Sequence, residues 1–257
     1  MTMFMFLLLQ IYVGPTDVNV PVWATATSFN AVEVPFCRGY YTSVRYEANG
    51  AGWHTDYPGA DINLLVRVGE LTTIRPGKAV VLRMDSPLLV QCPLLYMSDV
   101  GTMSLSYAEA AGLRGYLLRG GFLWVDDFWG SDAWDQWVRT IRLVLPEAQI
   151  ITIDPSHPIF HQQYDLDGIW QMPTTGLWAM DEHGVMITSE RDDDSITPHM
   201  RGMLDPRGGL VVVMTVNTDI AEGWEAAELN DNVDFFHTFS HKSYALGINV
   251  LLYALTH

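Results

Sequence analysis

Positive charge is scarce in this chain: 14 Lys and Arg stand against 30 Asp and Glu in 257 residues, a formal net charge of −16. A nucleic-acid binder neutralises phosphates with a cationic footprint, so that partner class is excluded. An anionic membrane surface is disfavoured on the same ground. Cysteine is nearly absent as well. Cys37 and Cys92 alone cannot build a disulfide scaffold or a thiolate metal cluster. Two buried thiols are the simpler expectation for them and a single disulfide is the alternative. Long apolar runs are also missing. Met3–Val13 (MFMFLLLQIYV) is too short to span a bilayer. It has the length of a signal-peptide core, with small residues for cleavage near Trp23–Ala26, yet the first basic residue is Arg38. Two readings stay open: a signal peptide over residues 1–26 with a periplasmic or exported product, or an edge segment of a cytoplasmic one.

What is present is a core-forming composition. Hydrophobic residues make up 49% and charged residues 17%, enough apolar surface for one large domain. Residues 1–34, broken by Gly14-Pro15 and Pro21, read as a leader or loosely packed arm. Residues 35–257 read as a single α/β domain. Val80–Met84 and Leu94–Met97 are short strands. Ser106-Tyr107-Ala108-Glu109 fits a capping box, and Ala110, Leu113, Tyr116 and Leu117 form the helical stripe behind it. Gly120-Gly121 ends that helix, since glycine carries no Cβ penalty in a left-handed cap. Phe122–Val125 is apolar on both faces, as in a parallel sheet covered by helices. Trp134, Trp137, Val138, Ile141 and Leu145 repeat the helical pattern up to Pro146, and Gln149–Ile153 is the next strand. Leu177–Met180 and Val185–Thr188 flank a turn and predict a β-hairpin insertion. Leu210–Val216 is a strongly β-branched strand, and about Ser243–Leu255 is a buried final helix. This alternation predicts a doubly wound, mostly parallel sheet with helices on both faces.

Ligands of open α/β sheets bind beyond the carboxyl ends of the strands. Here those ends carry Asp99, Asp126 and Asp127, Asp154, and Asn217 with Asp219; His157 and His161 follow Asp154. In parallel strands they form an acidic rim. Hard carboxylate oxygens there suit Mg²⁺ or Ca²⁺, and with His157 a transition metal, so Asp126, Asp127 and His157 are candidate metal ligands. They are equally the candidate catalytic groups of a metal-assisted hydrolase, with a carboxylate on the metal or taking a proton from water and His157 as ligand or acid/base. Asp99, Trp129, Asp154, Asn217 and Asp219 are candidate ligand-binding residues. Carboxylates beside Trp124, Trp129, Trp134 and Trp137 resemble a sugar site. Against this, Asp126-Asp127 have a plain alternative as helix caps and turn residues, and Trp134 and Trp137 as helix core. His157 alternatively is a satisfied loop histidine. His237 and His241 stand at i, i+4 without the glutamate of a zincin, and Asp192–Asp194 read as a solvated loop. No G-x-S-x-G elbow, P-loop or G-x-G-x-x-G occurs.

Several motifs, in order, carry a family resemblance: Trp53-His54-Thr55-Asp56-Tyr57-Pro58 with Ala60-Asp61, Arg67 and Leu71-Thr72; Leu113-Arg114 with Tyr116-Leu117; Gly120–Leu123; Asp126-Asp127; His157–Phe160; and Gly247-Ile248-Asn249 with Tyr253. From about Phe36 to His257 the chain resembles the bacterial family called domain of unknown function 4159. The resemblance implies a flavodoxin-like sheet of the class I glutamine amidotransferase-like kind. In those enzymes a nucleophilic Cys follows the strand after the Gly-Gly turn, where this chain has Asp126-Asp127. A carboxylate does not replace a thiolate in attack on an amide, so the resemblance implies no glutamine amidotransferase activity. The expected function is therefore a non-catalytic ligand- or protein-binding module for a small molecule, a sugar or a protein, with a metal-assisted hydrolase, on carbohydrate, as the alternative. No cofactor is evident beyond a divalent metal.

Overall fold

A computed structural model describes residues 29–180, 182–225 and 233–257. The Met3–Val13 segment and Asp181 in the hairpin turn therefore lie outside the described residues. In chain order the elements begin with β1 (Val34–Tyr40), the short β2 (Thr42–Ser43), α1 (Gly59–Leu71), β3 (Pro76–Arg83), β4 (Leu95–Ser98) and the short β5 (Met103–Ser104). They continue with α2 (Tyr107–Leu118), β6 (Leu123–Asp126), α3 (Gly130–Val144), β7 (Ile150–Thr152), β8 (Ala179–Met180) and β9 (Met186–Ile187). The last are β10 (His199–Leu204), β11 (Leu210–Val216), two short helices α4 (Glu222–Glu225) and α5 (Val233–Phe235), and α6 (His241–Thr256).

Seven strands form one sheet in the order β3-β1-β4-β6-β11-β10-β7. The pairs β1·β3, β1·β4, β4·β6 and β6·β11 are parallel, while β10 runs antiparallel to both β11 and β7. The fold is thus flavodoxin-like α/β, with one reversed strand. The chain leaves β1 for β3 on one side and returns to β4 on the other, so the sheet's direction of winding switches between β1 and β4. The predicted insertion is present as the antiparallel pair β8·β9.

Alternation along the strands divides the core in two. Cys37, Leu95, Met97, Leu123, Val125, Val212 and Met214 face α2 and α3, whereas Phe36, Tyr96, Trp124 and Val213 face α1 and α6. Both layers are predominantly apolar, as a covered parallel sheet requires. α2 begins as expected, with Ser106 accepting from the Glu109 N–H while Glu109 reaches back to the Ser106 N–H at 2.9 Å. Gly120 then stops it at φ 94°.

Cysteine behaves differently from the simpler expectation. Cys37 on β1 and Cys92 ahead of β4 form a disulfide, their Cα atoms 6.0 Å apart. Neighbouring parallel strands brought these two positions together, which spacing in the sequence could not reveal. Among the described residues no helix is long and apolar enough to cross a membrane.

Candidate functional site

Three adjacent parallel strands end in the same way. The first residue past β4 is Asp99, past β6 Asp127 and past β11 Asn217, with φ of 51°, 54° and 58°. Asp and Asn tolerate this left-handed geometry better than other residues with a side chain, because a short polar group can bond locally. The turn aims the chain across the strand ends rather than onward. Asp56, in the loop between β1 and α1, shares the conformation at φ 60°.

Arg38 fixes that loop. Its side chain is wholly buried on β1, and its Nε and Nη2 fork onto Asp61 of α1 at 2.5–3.0 Å. Its Nη1 donates to the carbonyls of Trp53 (3.1 Å) and Thr55 (2.9 Å). Its guanidinium also lies 4.9 Å from the Tyr96 ring centroid. Burial alone would lower the Arg38 pKa, and Asp61 more than reverses it. Burial likewise pushes Asp61 up, only partly offset by Arg38. Two ions removed from water depend on each other in this way.

Asp126 is buried and bonded on every side. Thr215 Oγ1 donates to its Oδ1 at 2.6 Å, and the Tyr96 hydroxyl (3.0 Å) and Ala221 N–H (3.1 Å) donate to its Oδ2. Burial nonetheless pushes it up to about 6. Asp127 takes the Trp129 indole N–H at 2.9 Å and, at 3.4 Å, the Ser98 hydroxyl. Burial, then Asp56 and Asp99, hold its carboxyl well above the usual range. Asp219 is raised by burial and by Asp127, Asp56 and Glu222, while its Oδ1 accepts from the Glu222 N–H at 3.0 Å. Asp99 is raised by burial and Glu47, and accepts from the Gly52 N–H at 2.7 Å.

The centre of this group is Asp56 with Glu222 and Glu225 of α4, each offering one oxygen within 4.8 Å of the others. Burial raises all three, and Glu222 and Glu225 add to the effect on Asp56. Glu222 is buried, whereas Asp56 and Glu225 are partly exposed and open the cluster to solvent.

The sequence-derived candidates therefore separate. Asp99, Asp126, Asp127 and Asp219 belong to the cluster. Asn217 lies at its border, its Oδ1 accepting from the Gly130 N–H and its Nδ2 donating to the Thr197 carbonyl. Trp129 is buried and serves as a donor to Asp127, and Trp124 and Trp137 are also buried, so none of the three offers a free ring face. Asp154 is exposed in a turn closed by the Ser156 N–H at 2.9 Å. His157 accepts from the Ile159 N–H and packs on Tyr253 of α6, which in turn packs on Phe122 ahead of β6. It thus sits against α6, away from the Asp126-Asp127 turn. His161 bonds Asp165 and the Pro155 carbonyl in the same exposed loop. His237 and His241 are exposed.

One plain alternative, the helix cap, needs correcting. Asp126 and Asp127 do not cap α3: its N-cap is Trp129, without a side-chain bond. The caps come from Asn217 and from Asp194, whose Oδ2 accepts from the Ser131 N–H at 2.7 Å. Asp194 is therefore tied to α3 while remaining, like Asp192 and Asp193, exposed to solvent as expected. Sequence reading also passed over Arg38, Asp56, Glu222 and Glu225. Asp56 was visible inside the Trp53–Asp61 motif as a residue ahead of a turn-forming Tyr-Pro-Gly. The Glu222/Glu225 pair, at i, i+3 just past a strand end, was the other available signal.

A hollow of about 710 Å³ lies at the opposite, amino end of the strands, lined by Phe29, Val34, Cys92, Tyr116 and Gly120 among others. Glu33 and Arg119 are the acidic and basic groups among its described lining residues.

Residues 41–255 match the family described as Domain of unknown function (DUF4159). No curated protein matches the chain.

Proposed function

Because the chain belongs to the domain of unknown function 4159 family, whose description carries no reaction, we propose from the site alone that this is a binding module. It takes a positively charged ligand at the carboxyl end of its sheet. One observation carries the reading. Beyond the effect of burial, Asp56 is pushed up by Glu222, Glu225 and Asp126, Asp127 by Asp56 and Asp99, and Asp219 by Asp127, Asp56, Glu222 and Asp126, so seven carboxyl groups crowd one rim. Among the described residues the one fully buried cation beside them, Arg38, is taken up by Asp61. Like charges crowded in a low-dielectric site destabilise the empty protein, and a bound cation relieves them. Anionic ligands such as phosphates meet the wrong sign here. The buried indoles favour no stacked sugar either. If the sheet is amidotransferase-like, Asp126-Asp127 fill the place of the nucleophile, so amide transfer is not part of the reading.

The second reading, a metal-assisted hydrolase, draws support from Asp127 and Asp219. Carboxyls held well above their ordinary range keep a proton to higher pH than an exposed carboxyl does and can give it to a leaving group. His157 has no place in that version, because it packs on α6.

The test is a thermal-shift series on the full chain with spermidine, Mg²⁺, Ca²⁺ and Mn²⁺, beside phosphate and citrate. Saturable rises in Tm are expected for a cation and none for the anions. Stabilisation by the anions alone, or by nothing, overturns the binding reading. Release of nitrophenol from ester or glycoside reporters, lost in Asp127→Asn, would decide for the hydrolase instead.

A further inference from the structure

We infer that Asp56, Glu222 and Glu225 form a binding site for a hard divalent cation, of which Ca²⁺ and Mn²⁺ are the best-fitting kinds. The inference rests on the reading of this rim as a cation site and names its occupant.

Geometry comes first. Two oxygens bound to one Ca²⁺ at about 2.4 Å lie at most about 4.8 Å apart. The three carboxylate oxygens here all fall within 4.8 Å of one another, so each pair meets that bound, and small side-chain rotations suffice to bring all three onto one ion. The donor set is purely carboxylate, which suits hard, oxygen-seeking ions and gives no reason for Zn²⁺, whose sites draw on Cys and His.

A second observation is independent of that proximity. Asp56 Oδ2 is shut off from water and no protein donor reaches it. A buried carboxylate oxygen without a hydrogen bond is costly. Elsewhere in the same cluster the protein supplied donors readily: three to Asp126, one to Asp99 and two to Asp127. At Asp56 it supplied none, and the two nearest groups are glutamates. A cation is the partner that fits this position.

Both sides of the site are fixed. Arg38 clasps the loop just ahead of Asp56 through the carbonyls of Trp53 and Thr55. On the other side, Asn63 of α1 donates to the Trp224 carbonyl at 2.9 Å, tying α4 to the helix that follows the loop. Thr175 N–H holds Glu222 Oε1 at 2.7 Å, which orients that carboxylate. Such outer bonds set the direction of a ligand and typically change affinity by about 10–100-fold when removed. Partial exposure of Asp56 and Glu225 leaves a route for the ion and room for water ligands.

The experiment uses the full chain, stripped with a chelator and titrated with Ca²⁺, Mn²⁺ and Mg²⁺ by calorimetry, with spermidine as a separate arm. Tb³⁺ emission excited through tryptophan reports occupancy in the unaltered protein, because Trp53 and Trp224 adjoin the ligands in sequence. Expected is saturable Tb³⁺ emission, displaced by Ca²⁺, with divalent affinity at least about tenfold weaker in Glu222→Gln and Glu225→Gln. Asp56→Asn should behave alike, but the two glutamine variants keep the test valid if the loop variant fails to fold. Circular dichroism matching that of the unaltered protein qualifies each variant. Spermidine binding with no divalent binding overturns this inference and leaves the cation reading standing. Divalent binding unchanged in both glutamine variants overturns the assigned ligands while the broader reading survives. No binding of any cation overturns both.

Discussion

Arg38 illustrates how much one side chain can organise. Removing it leaves Asp61 as an uncompensated charge with no exposure and frees the carbonyls of Trp53 and Thr55. Breaking a buried pair from one side costs about 3–5 kcal/mol. Arg38→Ala is therefore expected to lose stability on that order in urea denaturation, and Arg38→Lys to recover only part, because an ammonium cannot fork onto a carboxylate. A loss below about 1 kcal/mol would show the pair to be solvated rather than buried. At this scale the sequence was legible only in part. Asp99, Asp126, Asp127, Asn217 and Asp219 could be located because a strand end is a place that apolar patterning marks. Arg38 could not, since it sits mid-strand among Phe36, Cys37 and Gly39, where no pattern distinguishes a charge buried with a partner from an edge residue. His157 and Asp154 were placed with the same rule, and they follow β7. That strand is separated from β6 by β11 and β10, an order set by tertiary pairing rather than by anything local.

Elements with strong local signals came through nearly unchanged. α2 has its capping box and its glycine stop, and β11 is a run of β-branched residues. Ser106→Ala should cost about 1 kcal/mol, read as a lower urea midpoint with an unaltered m-value. No measurable change would mean that Glu109, which is also paired with Arg83 at 3.0 Å, anchors the turn alone. The elements that escaped the reading lack such signals. β1 contains Pro35, Arg38 and Gly39, and β10 (His199–Leu204) has no β-branched residue at all. α1 opens on Gly59 after Pro58 with no side-chain cap. Each is held by its neighbours: β1 between β3 and β4, β10 between β11 and β7, and α1 by Asn63 and by Asp61 on Arg38. Tertiary packing overrides weak propensity in these cases. α4, which brings two of the three central carboxylates, is a single turn, and periodicity has no purchase on so short a piece.

For the molecule as a whole, the concentration of acid at one end of the sheet governs its response to pH. Asp126 titrates at about 6 when folded against an ordinary value of 3.8. Asp56, Asp99, Asp127 and Asp219 are also displaced well upward, in each case first by burial. Groups whose folded pKa is raised bind protons more tightly in the native state. Their contribution is complete below the ordinary value and is lost as pH rises through the folded one. Tm in low salt should therefore fall between about pH 5 and pH 8, and saturating Ca²⁺ should flatten that slope. A Tm that climbs steadily over the range would contradict the burial of these carboxylates. The exposed Asp154 and the half-buried Asp205, whose pKa values are lowered, act only at more acidic pH.

The order of strands also sets an order in time. One wall of the rim, with Arg38, Asp56, Asp99 and Asp126, is complete by the end of β6. The other wall, with Thr215, Asp219, Glu222 and Glu225, comes from β11 and α4, whose pairing with β6 closes a loop of some ninety residues (Trp124 to Thr215 is 91). Contacts so far apart in sequence form late, after local ones. A nascent chain that has emerged only as far as β7 therefore holds Asp126 without Thr215 and leaves β6 as an open sheet edge. The rim comes into existence only when the last quarter of the chain arrives, so a shortened product of this gene keeps the front half of the sheet and none of its chemistry.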